Sequence, residues 1–264
     1  MKIKAIVAAV GGIAAGLAAV STTAGPEKIK FPADYLKGTL YGTVDRPDIK
    51  QYREIYASPG VVESVRAGKG VPSGAVLTLV QWSVQQDANG NPLKGSDGRF
   101  VKNTIVGHTV MEKRTGWGAE YGPGKRNGEW EYSAFNPVGE FNPKPNYDSC
   151  FQCHLPHAKL DYVMTLSKLA GKFPDASAVA KARKGDVNIV SFAFMPAKIT
   201  AVAGKPLKFL NSDDSPHWIS VQGAPQKTEV LVRGQTGSIT FDKAGAYNYI
   251  CGLHPSMKGT IEVK

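Results

Sequence analysis

From residue 186 to residue 264 no apolar pattern in the chain outlasts a single strand. VNIVSFAF, KITAVAGKPLKFLN, HWISVQG, TEVLVRGQTGSITF, GAYNYIC and GTIEVK alternate apolar and polar side chains and are separated by Gly, Pro and Asp. A period of two turns one face of each strand toward a core and the other toward water, and turn residues at this spacing leave no length for helices. The segment is therefore expected to form a β-sandwich of about seven or eight strands.

The loop before the last strand, CGLHPSMKG, places Cys251, His254 and Met257 three residues apart on a tight turn, where their side chains can converge. His217, in NSDDSPHW between two earlier strands, is the other histidine of this segment. Two imidazoles, one thiolate and a weak axial thioether make a type 1 (blue) copper electron-transfer site. Zinc prefers four strong ligands and has little use for methionine. A dinuclear copper centre needs a second cysteine in the loop, and catalytic multicopper sites need more than the five histidines of the whole chain. The plain alternative is a core that happens to contain a Cys and a Met, both frequent in interiors.

FAFMPAKITAVAGKPLKFLNSDDSPHW and GAYNYICGLHPSMKGTIEVK resemble the cupredoxins, nearest to the amicyanin and pseudoazurin type. The resemblance covers residues 186–264 and implies His217, Cys251, His254 and Met257 as ligands of one type 1 copper. Trp218 departs from it, since many relatives carry Asn after the first histidine. The departure bears on the hydrogen bonding around the metal ligands.

Residues 25–172 hold most of the aromatics. AVLTLVQWSV (75–84), RFVKNTIVGHTV (99–110) and GEWEYSAF (128–135) read as strands, with turn signals at Asn89-Gly90 and Asp97-Gly98. DIKQYREIYA (48–57) and LDYVMTLSKLA (160–170) read as helices. The fold class expected is mainly β, an α+β and mostly antiparallel domain followed by the sandwich. FPDASAVAKARKG (173–185) is small, polar and basic, a linker that spans on the order of 20 Å if flexible.

SCFQCHLPH contains C-x-x-C-H at Cys150, Cys153 and His154, the attachment signature of haem c. Two thiols add to the haem vinyl groups and the adjacent histidine binds iron from one face. This use also accounts for the odd total of three cysteines, two for haem and one for copper. The alternatives are a local redox disulfide or half of a zinc site, which would want a second ligand pair.

FPADYLKGTLYGTV, YREIYASPG, GVPSGAVLTLVQW, TGWGAEY and YDSCFQCHLPHAKLDYVM resemble the family of cytochrome P-460 and cytochrome c′-beta, over residues 31–173. The resemblance implies a mostly β homodimer, a five-coordinate haem with His154 proximal and a distal face open to small ligands. Family activities are hydroxylamine oxidation and binding of nitric oxide. The P-460 branch carries a lysine cross-linked to haem, expected on or near the strand 75–84. No lysine lies between Lys69 and Lys94, which favours the c′-beta type. His108 and Met111 are formal candidates for a sixth iron ligand, and Glu131 and Glu140 for a distal acid or base. His157, three residues from His154, lies on the proximal side and cannot reach the distal face.

At the start, Lys2 and Lys4 precede an apolar run (5–20) and small residues up to Ala24, the order of a secretory signal cleaved after Ala24 and leading to the periplasm. The run is shorter than the ~18–20 residues of a membrane span, and no other segment offers one. The formal charge of +10, or +8 without Lys2 and Lys4, suits a solvated surface and an acidic redox partner. Its basic clusters lack interleaved aromatics, which argues against nucleic acid. The combined expectation is an exported redox protein whose haem binds or transforms a small nitrogen species while copper relays single electrons to or from a partner. The alternative is a non-enzymatic electron carrier or a nitric oxide scavenger or sensor. Copper delivery is weaker, because thiolate with two imidazoles holds the metal firmly.

Overall fold

A computed structural model describes residues 25–172, 186–213 and 215–264 of the 264-residue chain. The expected signal (1–24) and linker (173–185) lie outside the described residues.

Strands β1 (Thr39–Arg46), β2 (Gln51–Ala57), β3 (Val76–Val84), β4 (Lys102–Lys113) and β5 (Trp130–Phe135) form one antiparallel meander in sequence order. The register aligns Ile55 with Leu79 and Thr109, and Leu77 with Met111 and Tyr132. These residues share one face of the sheet, because side chains opposite each other in a ladder point the same way. Between β3 and β4 the chain makes the two expected turns, with Gly90 and Gly98 at φ 79° and 76°, closed by bridges Gln86 to Pro92 and Lys94 to Phe100.

The stretch 48–57, expected as a helix, is instead a turn followed by β2. β2 is paired on both sides and buries Tyr52, Glu54, Ile55 and Ala57, so both of its faces are covered. Burial on both faces removes the strict alternation from the sequence, while Tyr52, Ile55 and Tyr56 fit a pleated surface. The second expected helix, 160–170, is reduced to α3 (Leu166–Leu169), preceded by a 3-10 segment, Leu155–Leu160. Two further helices appear, α1 (Val61–Arg66) and α2 (Tyr147–His154). Asn146 caps α2 by accepting the Asp148 N–H on its side chain. Phe151 anchors α2 in a core with Trp130, Tyr132, Val65 and Leu169.

The second half matches its expectation, with eight strands among the described residues in two sheets of four. β6 (Val187–Val190), β7 (Ala193–Met195), β9 (Pro206–Asn211) and β11 (Thr236–Thr240) form one sheet, in the order β11-β9-β6-β7. β8 (Lys198–Ala201), β10 (Ile219–Val221), β12 (Gly245–Cys251) and β13 (Lys258–Val263) form the other, in the order β10-β12-β13-β8. Phe194, Phe209, Phe241, Tyr249 and Ile261 fill the space between them. Val44 and Ile55 of the first sheet join this same buried cluster, so the two halves share apolar surface. No helix among the described residues is long and apolar enough to cross a membrane.

Candidate functional site

α2 and the inner face of the five-stranded sheet enclose a cleft of ≈ 380 Å³. Helical spacing carries Cys150, Cys153 and His154 to one wall of it, while Tyr41, Ile55, Leu77, Leu79 and Met111 line the cleft from the sheet. Cys150 and Cys153 form no disulfide, and burial pushes the pKa of each thiol up. His154 Nδ1 lies 2.7 Å from the Tyr162 carbonyl. As donor in that bond it leaves Nε2 with a lone pair for a metal. Burial lowers the His154 pKa against the opposing carbonyl, which favours the neutral, ligating ring. Tyr132 packs 4.7 Å from that ring, and its hydroxyl accepts from Asn127 Nδ2 at 3.0 Å. Asn127 Nδ2 also donates to the Phe151 carbonyl at 3.0 Å, tying β5 to α2.

The other candidates around the cleft sort clearly. Met111 lines it. His108 does not, because its ring packs against Phe31 and Tyr35 and its Nδ1 lies 3.2 Å from the Asn136 carbonyl. Glu131 is fully buried, but it alternates with Tyr132 onto the opposite face of β5, so it is no distal acid. Glu140 is exposed in a turn outside the cleft lining, where it accepts from Asn136 Nδ2. His157 is buried outside the cleft, in line with its exclusion as a distal ligand. None of the residues lining the cleft is a lysine.

The second cluster lies at one end of the sandwich. Cys251 Sγ is 3.4 Å from His217 Nδ1 and 3.6 Å from His254 Nδ1, and the two nitrogens are 3.2 Å apart. Three buried soft donors thus face one point. Met257 is buried in the same cluster as Cys251. The loop that carries them is closed by its own backbone: His254 N–H donates to the Cys251 carbonyl, Met257 N–H to the His254 carbonyl and Cys251 N–H to the Met257 carbonyl, at 3.2, 2.9 and 3.1 Å. His217 is held from the other side by paired backbone bonds with Leu231. Asn211 Nδ2 donates to the Ser215 and Leu231 carbonyls at 2.8 and 2.7 Å, fixing the approach to His217.

The electrostatics of this cluster favour a thiolate. Burial opposes ionisation of Cys251, but His217 and the backbone N–H groups of Trp218 and Leu253 outweigh it and lower the thiol pKa. Trp218 therefore supplies its hydrogen bond to sulfur through the backbone, whatever its side chain, which answers the departure seen in the sequence. Burial likewise opposes charge on His217, yet Asp213 and Cys251 raise its pKa. His254 is pushed down to about 2 by burial, with His217 and Arg46 adding to the effect.

A model of the family described as cytochrome P460 matches residues 32–165, just over half of the chain. The chain belongs to the cytochrome P460 family. In this cytochrome P460 relative, residues 163–263 match a second model, described as a cupredoxin-like domain. Amicyanin of Paracoccus versutus is 28% identical over 96 residues, 34% of this chain and 73% of that protein. Amicyanin-alpha of Methylorubrum extorquens is 30% identical over 101 residues, 36% of this chain and 85% of that protein. Among solved structures, the Cu(I) form of a mutant amicyanin is 26% identical with a TM-score of 0.29, covering 33% of this chain and 89% of that one.

The P460 match implies haem and the cupredoxin match implies copper, making this a haem and copper redox protein. The donors present suit both groups: two thiols and an imidazole with one free nitrogen in an apolar cleft, and two imidazoles with a low-pKa thiol around a point. Sequence reasoning missed the layer behind the His217, Cys251 and His254 cluster, namely Asn211, Asp213 and Phe192. The acidic run NSDD just before His217 was the available signal.

Proposed function

We propose that this chain is an exported periplasmic redox protein, divided into a signal (1–24), a haem domain (25–172), a linker (173–185) and a copper domain (186–264). In this reading Cys150 and Cys153 hold haem c covalently and His154 is the proximal ligand, while His217, Cys251, His254 and Met257 hold one type 1 copper. When bound, the haem supplies an iron centre for nitric oxide or hydroxylamine and the copper supplies exchange of single electrons with a partner. The observation that carries the reading is the placing of the two donor sets, Cys150, Cys153 and His154 together in the lining of the cleft and His217, Cys251 and His254 around one point at the sandwich end.

The chain's own residues prepare both points. The Tyr162 carbonyl fixes the tautomer of His154, and Tyr132 fixes the plane of its ring. Leu77, Leu79 and Ile55 keep much of the facing wall apolar, while Arg53, Gln81 and Thr109 are among the polar groups on it able to hydrogen-bond a small ligand. The net charge, +8 once Lys2 and Lys4 leave with the signal, suits an acidic redox partner, and a homodimer through the haem domain follows the family resemblance.

Met111 favours a second reading, a two-centre electron carrier without ligand chemistry, because its thioether lines the same cleft. Optical spectra of the metal-loaded protein, with and without nitric oxide, separate the two. A thiolate-to-copper band with a high-spin haem that responds to nitric oxide is expected. A low-spin haem indifferent to the gas, becoming responsive in Met111→Leu, establishes the carrier instead.

A further inference from the structure

We infer that the copper loop is docked on the haem domain of its own chain by a latch of Arg46, Asp48 and Ser256, which closes the His254 edge to outside proteins. This rests on reading His254 as a copper ligand.

The haem domain contributes the turn between β1 and β2. Arg46 donates from Nε and a terminal nitrogen to the two carboxylate oxygens of Asp48, at 2.8 and 2.7 Å. Such a bidentate pair is directional, and its side chains are only 12% and 10% exposed, so solvent screens it little. Asp48 Oδ2 accepts in turn from the Ser256 hydroxyl at 3.1 Å, two residues beyond His254. The same Arg46 guanidinium lies 4.9 Å over the ring of Phe192. Phe192 meets His217 and His254 edge-on, at 5.3 and 4.8 Å between ring centroids.

Phe192 is held there against a conformational cost. Ser191 and Phe192 link β6 to β7 with φ of 51° and 58°, the left-handed region that a bulky side chain rarely adopts. Asp213 offsets that cost by accepting the backbone N–H of both residues, and the same carboxylate faces His217. The ring is therefore fixed between the metal ligands on one side and a haem-domain arginine on the other.

Apolar contact continues behind the latch. Val44 and Ile55 are buried with Cys251 and Met257, and Ile55 also lines the haem cleft. One face of the β1–β2 ribbon thus borders both the cleft, through Arg53 and Ile55, and the copper domain, through Val44 and Ile55. His254 is left 9% exposed. An outside redox protein reaching for that edge must first displace the Ser256–Asp48 hydrogen bond, the Arg46–Phe192 contact and packed apolar surface.

The test uses the full chain without metals, read by amide hydrogen exchange and by carbethoxylation of histidines. Asp48→Ala is expected to speed exchange in residues 46–50 and 252–257 together and to raise modification of His254 about ten-fold, with His217 unchanged. Ser256→Ala removes one hydroxyl from an exposed loop position and should move the same two segments by less, which guards against a folding defect in the first variant. The latch is overturned if both variants leave residues 252–257 at the native rate, or if native His254 reacts as fast as in denatured chain. The copper reading fails separately, by the absence of a thiolate band on titration with copper.

Discussion

Asp213 Oδ2 lies 3.1 Å from Nε2 of His217 while its carboxylate also accepts the backbone N–H groups of Ser191 and Phe192. The contact to His217 is a close approach of carboxylate to imidazole off the line of the N–H, since Nε2 has no aligned hydrogen-bond partner. It nonetheless favours a proton on Nε2 and so leaves Nδ1, the nitrogen facing Cys251, for the metal. Asp213→Asn keeps the size of the side chain and removes its charge. Copper affinity is expected to fall about 10- to 100-fold, measured by competition with a chelator, with the fold intact by circular dichroism. An unchanged affinity refutes the role of the charge.

Gly252 and Trp218 form a packed pair beside the Cys251 thiol. Gly252 N–H donates to the Trp218 carbonyl at 2.9 Å, and a Cβ on Gly252 would overlap the Trp218 indole. Gly252→Ala should therefore destabilise the loop by about 1–3 kcal/mol through overpacking. Adding Trp218→Ala opens the space, so the double variant should be less destabilised than the two single costs summed. Thermal unfolding of the four proteins gives the coupling, and additive costs show that the ring yields freely.

The cluster of His217, Cys251 and His254 was legible because Cys251 and His254 share one turn with Met257, and their spacing is itself the geometry. What lies behind them was not legible. Arg46 comes to Phe192 from the other half of the chain, and the left-handed turn at Ser191 and Phe192 carries no Gly or Asn to announce it. In the first half β3, β4 and β5 were readable from their apolar runs. β2 was not, because burial of both faces blurred its period toward that of a helix. α2 went unread for a different reason, since Cys150, Cys153 and His154 face the cleft and Phe151 alone supplies an apolar anchor.

Asn127 is fully buried, and its single amide nitrogen serves both the Tyr132 hydroxyl and the Phe151 carbonyl. Asn127→Ala takes the one donor from the Tyr132 hydroxyl and one of two from the Phe151 carbonyl, which keeps the Leu155 N–H, at a cost of about 1 kcal/mol. Tyr132 packs on His154, so its loosening should also broaden the haem absorption of the loaded protein. A variant with native melting and a native spectrum contradicts this tie between β5 and α2.

His157 provides a pH test in the haem domain. It is 1% exposed, and neither ring nitrogen has a partner. Burial, with a smaller contribution from His154, pushes its pKa down to about 4 from 6.5. Lys159 and Glu229 line the adjoining cavity but are exposed. Between these two pH values the unfolded chain takes up a proton at this position that the native chain refuses, so acid favours unfolding. The stability that depends on a neutral His157 is present above pH 6.5 and is lost as pH falls toward 4. His157→Phe removes the titrating group and should flatten the decline of the denaturation midpoint between pH 7 and 4.5. Equal slopes in the native protein and the variant show that His157 is protonated without unfolding.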